Sequence, residues 1–347
     1  MARAGFLVWH RRVALLFAPF LLTQALTGAA LLYRAPLARA LDERGMTRQT
    51  VGPIAPVSRL QVVAQAAMPG YRVSRLYLPA TDRDTAFAEM TGPGGSSRRA
   101  SIDPASAKVL AQGTIWHFPL EAVLQLHYRL TAGKVGMAIV LANALAIVTL
   151  AASGIAFWWP GRQRMRKSLA IRAAAPGRIR LRQWHRKLGI CGAILLLFSA
   201  TTGALLIVPD LVAPGGSAAD TLLPSRTMVQ VDRAVALAMA RFPASPVRDI
   251  RFPAADRIDV NLFAPQRNPR AVHIVSVRLS DGSVTKALAA GDNPVLWMKV
   301  LSLHTGDSLG PVGHIILLIN AALIAALALS GPWMWWQARR VGAKVNR

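Results

Sequence analysis

The sequence predicts an α-helical membrane protein with four transmembrane helices in two tandem repeats, each repeat carrying an α+β module outside the membrane. Three observations predict it. First, residues 13–33, 137–159, 188–208 and 312–336 contain no charged side chain. Each of these segments is long enough to cross a hydrocarbon core of ~30 Å as a helix, and in lipid a spanning segment must satisfy its own backbone hydrogen bonds. Second, the chain repeats itself. The stretch WHRRVALLFAPFLLTQALTGAALLY from Trp9 recurs as WHRKLGICGAILLLFSATTGALLIV from Trp184 without a gap. A repeat of this length means two equivalent halves, residues 1–171 and 172–347. Third, the acidic residues are confined to the stretches between the helices of each half.

The first helix, 13–33, contains Pro19, which should kink it. Its basic start and the triplet Ala38-Arg39-Ala40 look like a secretory signal. Its length and its internal twin at 188–208 point instead to a retained helix. A Pro- and Arg-containing connector follows over 34–56. Residues 57–112 form the first α+β module. Helical periodicity over 57–67 is stopped by Met68-Pro69-Gly70, and strands are expected over 71–78, 85–90 and 99–102. A helix over 118–130 approaches the membrane and carries His127. Helix two, 137–159, ends in Trp158 and Trp159.

The second half repeats the scheme. Helix three spans 188–208. The second module spans 228–288, with a helix over 231–242 and strands over 247–252, 258–263 and 271–279. The turn Ser280-Asp281-Gly282-Ser283 has hairpin character. A helix over 296–303 precedes His304, and helix four spans 312–336. The repeat extends through these parts. Leu126-His127 matches Leu303-His304, Asn143 matches Asn320, and Ser153-Gly154 matches Ser330-Gly331.

The net charge of +25 first suggests nucleic acid, but its distribution argues otherwise. Residues 1–12, 160–187 and 337–347 carry seventeen Lys and Arg and no acid, while all sixteen acids lie within 34–136 and 209–311. This is the positive-inside pattern of a multi-pass protein with both termini in the cytoplasm and two domains on the outer side. The basic loop 162–187 is a topology signal that can touch anionic membrane lipid, and no nucleic-acid partner is expected. The single cysteine, Cys191, excludes an intrachain disulfide framework and a cysteine-ligated iron–sulfur cluster within one chain.

Four histidines fall at repeated positions. His10 and His185 lie at the inner mouths of helices one and three; His127 and His304 lie at the outer mouths of helices two and four. Ionisable groups tied to membrane segments are costly and suggest function. Two imidazoles sharing each face, with no repeated acid beside them, suit the two axial positions of a b-type haem better than zinc. Gly28, Gly203, Gly136 and Gly313 would leave room for a porphyrin or serve helix packing. Arg11, Arg12, Arg186 and Lys187 would pair with propionates or act as positive-inside anchors. His314, one residue after Gly313, is a further candidate that would replace or supplement His304. His117 and His273 have no repeat partner, and for His273 an ordinary structural role is expected.

In the ordered set WHRK-LG with TTGAL, WHRR with LTGA, LH-Y-L with G-K-V-G, LH-T with G-P-V-G, and the SG…WW helix ends, the chain resembles the PepSY-associated transmembrane proteins of bacterial inner membranes. The resemblance covers nearly the whole chain. It implies four helices enclosing two periplasmic PepSY-like modules, with His10, His127, His185 and His304 as ligands of haem b. The ~30 Å between the two histidine levels, from a helix of ~21 residues, favours one haem near each face, two per chain. It also implies a ferric-siderophore reductase that passes electrons to a periplasmic ferric complex and releases Fe(II). No Gly-rich dinucleotide or flavin fingerprint occurs, so a separate electron donor is expected, either quinol or a cytoplasmic reductase. Two other readings remain open at this point. One is a haem-free membrane-anchored module that binds a periplasmic protein or peptide. The other is a two-repeat transporter, which parallel repeats without a buried acid favour less.

Overall fold

The computed structural model describes residues 2–41, 47–213, 228–265, 267–293 and 296–345. Parts of the expected connector 34–56 and one residue of the expected module 228–288 lie outside the described residues. The elements in chain order are α1 (Ala2–Leu32), α2 (Arg34–Ala40), α3 (Val57–Ala67), β1 (Arg72–Tyr77), β2 (Ala86–Thr91), β3 (Ser97–Ile102), β4 (Val109–Gly113), α4 (Pro119–Arg129), α5 (Gly133–Trp158), α6 (Met165–Ser168) and α7 (Gly177–Val212). The chain continues with α8 (Met228–Arg241), β5 (Val247–Ala254), β6 (Arg257–Phe263), β7 (Val272–Arg278), β8 (Val284–Leu288), α9 (Leu296–His304) and α10 (Gly310–Val345).

These elements form two compact units. One comprises Met1–Leu32, Val123–Val212 and Leu303–Arg347; the other comprises Tyr33–Ala122 and Ala213–Ser302. The first unit is a four-helix bundle whose long members are α1, α5, α7 and α10. All four are long and apolar enough to cross a membrane, which makes this a multi-pass membrane protein. In the bundle α1 packs on α5 and α10, and α7 packs on the same two, so α1 and α7 stand diagonally opposed. The outward faces carry large apolar side chains such as Leu16, Leu145, Ile194, Ile319 and Leu329, the composition that lipid contact requires. Exposed Trp9, Trp159, Trp184, Trp333 and Trp336 sit near the helix ends, as interfacial tryptophans do. The helix α1 continues through Pro19, and the Thr23 hydroxyl donates to the Pro19 carbonyl at 2.9 Å.

The second unit corrects one expectation. The two modules are not separate: their eight strands form one antiparallel sheet in the order β4-β3-β2-β1-β5-β6-β7-β8. Each half contributes one helix, α3 or α8, and four consecutive strands. The halves join where β1 pairs with β5, with Leu76 opposite Ile250 and Tyr77 opposite Asp249. Alternation aims Leu76, Ala88, Met90 and Ile102 of the first half at the same core as Ile250, Ile258, Val260 and Val275 of the second, and α3 and α8 cover it. Without that pairing β1 and β5 would each present an open strand edge.

A buried carboxylate locks the join. Asp249 is fully buried and accepts from Arg75 Nε at 2.8 Å, Arg248 Nε at 2.7 Å and Asn261 Nδ2 at 2.8 Å. Burial alone would raise its pKa, but the two guanidinium groups outweigh that and hold it below the usual carboxylate range. Arg75 comes from one half and Asp249 from the other, so the ion pair spans the join.

Candidate functional site

Each of the four long helices carries a small hydroxyl residue followed by glycine: Thr27-Gly28 in α1, Ser153-Gly154 in α5, Thr202-Gly203 in α7 and Ser330-Gly331 in α10. Each dipeptide receives one histidine. His10 Nδ1 lies 3.0 Å from Ser153 Oγ, and His185 Nδ1 lies 2.7 Å from Ser330 Oγ. His127 and His304 Nδ1 each lie 2.9 Å from a threonine hydroxyl, Thr27 and Thr202 respectively. Each of these four contacts stays within one half of the chain.

The hydroxyl proton decides the tautomer. Thr27 donates to the Thr23 carbonyl at 2.6 Å, Ser153 to Thr149 at 2.6 Å, Thr202 to Phe198 at 2.8 Å and Ser330 to Ala326 at 2.6 Å. A hydroxyl has one proton, so with that proton assigned to the helix carbonyl each oxygen accepts from the imidazole. This assignment puts hydrogen on each Nδ1 and leaves each Nε2 its lone pair. Nε2 with Nδ1–H held by an outer partner is the usual arrangement of a metal-ligating histidine.

The glycines complete the cradle. A Cβ added to Gly28 would stand 3.1 Å from His127 Cε1, and one on Gly203 3.4 Å from His304 Cε1. At Gly154 and Gly331 the corresponding distances to His10 and His185 Cε1 are 3.4 and 3.7 Å. These residues thus make room for imidazole rings. Gly136 and Gly313, grouped with Gly28 and Gly203 in the sequence, do something else. A Cβ on Gly136 would lie 1.7 Å from the Arg129 carbonyl oxygen, and one on Gly313 2.1 Å from that of Gly306. They allow backbone to touch backbone at the sharp turns α4–α5 and α9–α10. The first turn passes through positive φ at Leu130, Thr131 and Gly133. Those turns fold the ends of α4 and α9 back, which brings His127 to Thr27 and His304 to Thr202.

The histidines then meet in pairs, one from each half. The ring centres of His10 and His185 are 6.5 Å apart with planes at 86°, and those of His127 and His304 are 6.3 Å apart at 44°. The members of the first pair sit on the diagonal helices α1 and α7. An imidazole nitrogen bonds a metal at about 2.0 Å and lies roughly 1.1 Å from its ring centre, so two trans imidazoles on one ion stand about 6.2 Å apart. Both observed spacings are close to that figure. Among the described residues no three His, Cys, Asp or Glu converge, so each pair offers two nitrogens and leaves the remaining positions of a metal to another group. A tetrapyrrole iron, which brings four nitrogens of its own, suits such a pair.

The remaining candidates divide. Arg186 Nε, beside His185, is buried without a hydrogen-bond partner, and so is Arg129 Nε, two residues after His127. One cationic group with an unused donor thus stands in sequence beside each pair. Arg11 and Arg12 are exposed, and Lys187 lies over the Trp184 ring. His314 joins neither pair, because its Nε2 meets Asp307 Oδ1 at 3.0 Å. His273 has the structural role expected of it: it stacks on Phe242 and its Nδ1 accepts from the Ala290 N–H at 3.1 Å. His117 is held by Thr114. His10 and His185 lie inside α1 and α7, which run on past the N-terminal ends of the charge-free segments 13–33 and 188–208. Sequence reasoning missed the four hydroxyls and Arg129. The signal for the hydroxyls was present as a Ser/Thr-Gly pair in each of the four helices.

The family model described as PepSY-associated TM region matches residues 7–338, nearly the whole chain. No curated protein matches the chain.

Proposed function

The chain belongs to the PepSY-associated TM region family, and we propose that it is a b-haem electron-transfer protein that reduces a ferric complex, a ferric siderophore in the leading case. In this reading it lies in the bacterial inner membrane, with both termini in the cytoplasm and the eight-stranded sheet in the periplasm. The charge distribution supports that orientation: the acid-free basic stretches all fall on one side of the four helices.

The observation that carries the reading is the pair geometry. Twice, two histidines from two halves stand with ring centres 6.3–6.5 Å apart, and each has its Nδ1 held by a hydroxyl, which leaves Nε2 to bind a metal. His10 with His185 would hold one haem b and His127 with His304 the other. Haem bound there would supply a one-electron Fe(III)/Fe(II) couple. The protein's own groups do the rest. Thr27, Ser153, Thr202 and Ser330 orient the rings and raise their basicity. Arg129 and Arg186 offer donors to carboxylates at the two levels. The apolar helix faces keep both sites dry, which disfavours charge build-up and shields reduced iron.

The two levels are eighteen residues apart along α1, from His10 to the His127-bearing position Gly28, or ~27 Å. One site near each membrane face divides the transfer distance from an inner donor, quinol or a cytoplasmic reductase, to an outer ferric acceptor. The acceptor's iron takes one electron and leaves as Fe(II).

The test is a reduced-minus-oxidised absorption spectrum of the detergent-purified protein, with haem counted per chain and ferric-chelate reduction followed by an Fe(II) indicator. Two bis-histidine haems are expected, and His127→Ala or His304→Ala should remove the outer one together with ferric reduction. A folded protein that takes up no haem when it is supplied would refute the proposal. It would leave a haem-free PepSY module that binds a periplasmic protein or peptide.

A further inference from the structure

Between the two histidine levels lies a layer of neutral polar side chains. Asn143 of α5 and Asn320 of α10 are repeat partners, 3% and 2% exposed. They stand ten residues from Ser153 and Ser330, which hold the inner histidines, or ~15 Å along the axis and so about midway between the levels. The other two long helices contribute another pair of repeat partners, Gln24 in α1 and Ser199 in α7. In the second half the layer is joined, because Asn320 Nδ2 donates to Ser199 Oγ at 2.6 Å.

Three atoms of this layer are buried without a hydrogen-bond partner: Asn143 Oδ1, Asn320 Oδ1 and Gln24 Nε2. A buried amide group left unpaired costs free energy, and lipid offers it no substitute for water. The same oxygen is unpaired at the same repeat position in both halves, so chance packing at one residue does not account for it. Each of these four residues lies in a segment that contains no charged side chain, which disfavours an ion of either sign. Asn143 Oδ1, Asn320 Oδ1 and Gln24 Nε2, on three different helices, are groups of the kind that hold buried water, which needs two to four polar partners.

We propose that Gln24, Asn143, Ser199 and Asn320 hold an internal water site at the middle of the bundle. Water there donates to the two asparagine carbonyls and accepts from Gln24. It ties the four helices together at a depth where apolar contact alone cannot specify register. With no titratable group in the layer, it provides a hydrogen-bonded bridge rather than a stopping place for protons. That it bridges two redox sites rests on the haem reading of the histidine pairs; the water site itself does not.

The experiment is hydroxyl-radical labelling of the full-length protein in lipid nanodiscs, using a short radiolytic pulse in ¹⁸O water and mass spectrometry of the helices. Bound internal water labels the side chains beside it. The expected result is ¹⁸O incorporation within one turn of Asn143 and Asn320, above that at the lipid-facing Ile194 and Leu329, and its loss in Asn143→Leu/Asn320→Leu. Background labelling in the wild type would overturn the proposal, and so would labelling unchanged in the double variant. If leucine prevents folding, the alanine pair is judged by the same two criteria. Haem is counted on the same samples, so a haem-free protein that still labels would retire the redox reading and leave the water site standing.

Discussion

Replacing Thr27 and Thr202 with valine removes the acceptors of His127 and His304 while keeping the branched shape that packs beside Gly28 and Gly203. Each imidazole Nδ1–H loses a bond of 2.9 Å in a half-buried setting. A donor left unpaired in the interior costs ~1–3 kcal/mol. The cost can be reached independently: loss of an outer partner of a ligating histidine typically lowers metal affinity about 10–100-fold, which converts to roughly 1.4–2.7 kcal/mol. The two figures agree, and this is the size of effect expected if the hydroxyls act through the imidazoles. The assay is titration of haem into the apoprotein followed at the Soret band, with a redox titration of the loaded sample. The outer haem of Thr27→Val/Thr202→Val should bind about 10–100-fold more weakly, and the inner haem should bind as before. Unchanged affinity and potential at both sites would refute the reasoning and reduce the hydroxyls to helix-packing groups.

The glycines should rank by the room they leave. Gly28→Ala puts a methyl 3.1 Å from the His127 ring and should disturb the outer site, while Gly331→Ala, at 3.7 Å from His185, makes an ordinary contact and should leave the inner spectrum unchanged. Electron paramagnetic resonance of the oxidised haems reads both. Asp249→Asn leaves Arg75 and Arg248 without their counter-charge in the middle of the sheet, and should destabilise the extramembrane unit by about 3–5 kcal/mol in a denaturant titration followed by tryptophan fluorescence. Stability of that unit should also fall in acid. Burial alone would raise the Asp103 carboxyl, but the N–H groups of Ser106, Gln49 and Thr50 and the Ser106 hydroxyl outweigh it and hold the pKa well below the usual value. A depressed carboxylate contributes stability in full above its unfolded pKa of ~3.9 and loses it as pH falls towards the folded value. Asp103→Asn should therefore melt at lower temperature at pH 7 and show a shallower loss below pH ~4 in thermal scans.

The helices and most strands were legible because each depends on local pattern. Charge-free runs specify spans, and alternation specifies β6 and β7, whose Ile258, Val260 and Leu262 and whose Val275 and Val277 join the common core. The strand β8 was not legible, since four of its five residues are exposed and no alternation survives. The joined sheet was not legible either. It rests on β1 meeting β5, strands separated by more than 170 residues, and no local signal chooses between an open edge and a partner that far along the chain. For the site the division is similar. The four histidines stood out because the repeat placed them at equal offsets, but offsets carry no directions. That His10 faces His185 while bonding Ser153 is a property of the helix ring, in which α1 and α7 are diagonal. Gly136 and Gly313 matched the repeat as well as Gly28 and Gly203 did, yet they touch carbonyl oxygens in the turns and not the rings.

These misses share a physical origin that bears on function. Contacts within one half orient each histidine, through Ser153, Thr27, Ser330 and Thr202. Contacts between halves pair it: His10 with His185, His127 with His304, and likewise β1 with β5 and Arg75 with Asp249. A single half would hold two oriented imidazoles, each lacking its opposite, and one strand with an open edge. Neither histidine pair nor the sheet can be completed by one copy, so the duplication is the smallest unit in which both form. Mutations at the β1–β5 join and at the helix diagonals should then fall into two separable classes, since the sheet and the bundle are distinct compact units. The first class would lower the stability of the sheet, and the second would change what the paired imidazoles can hold.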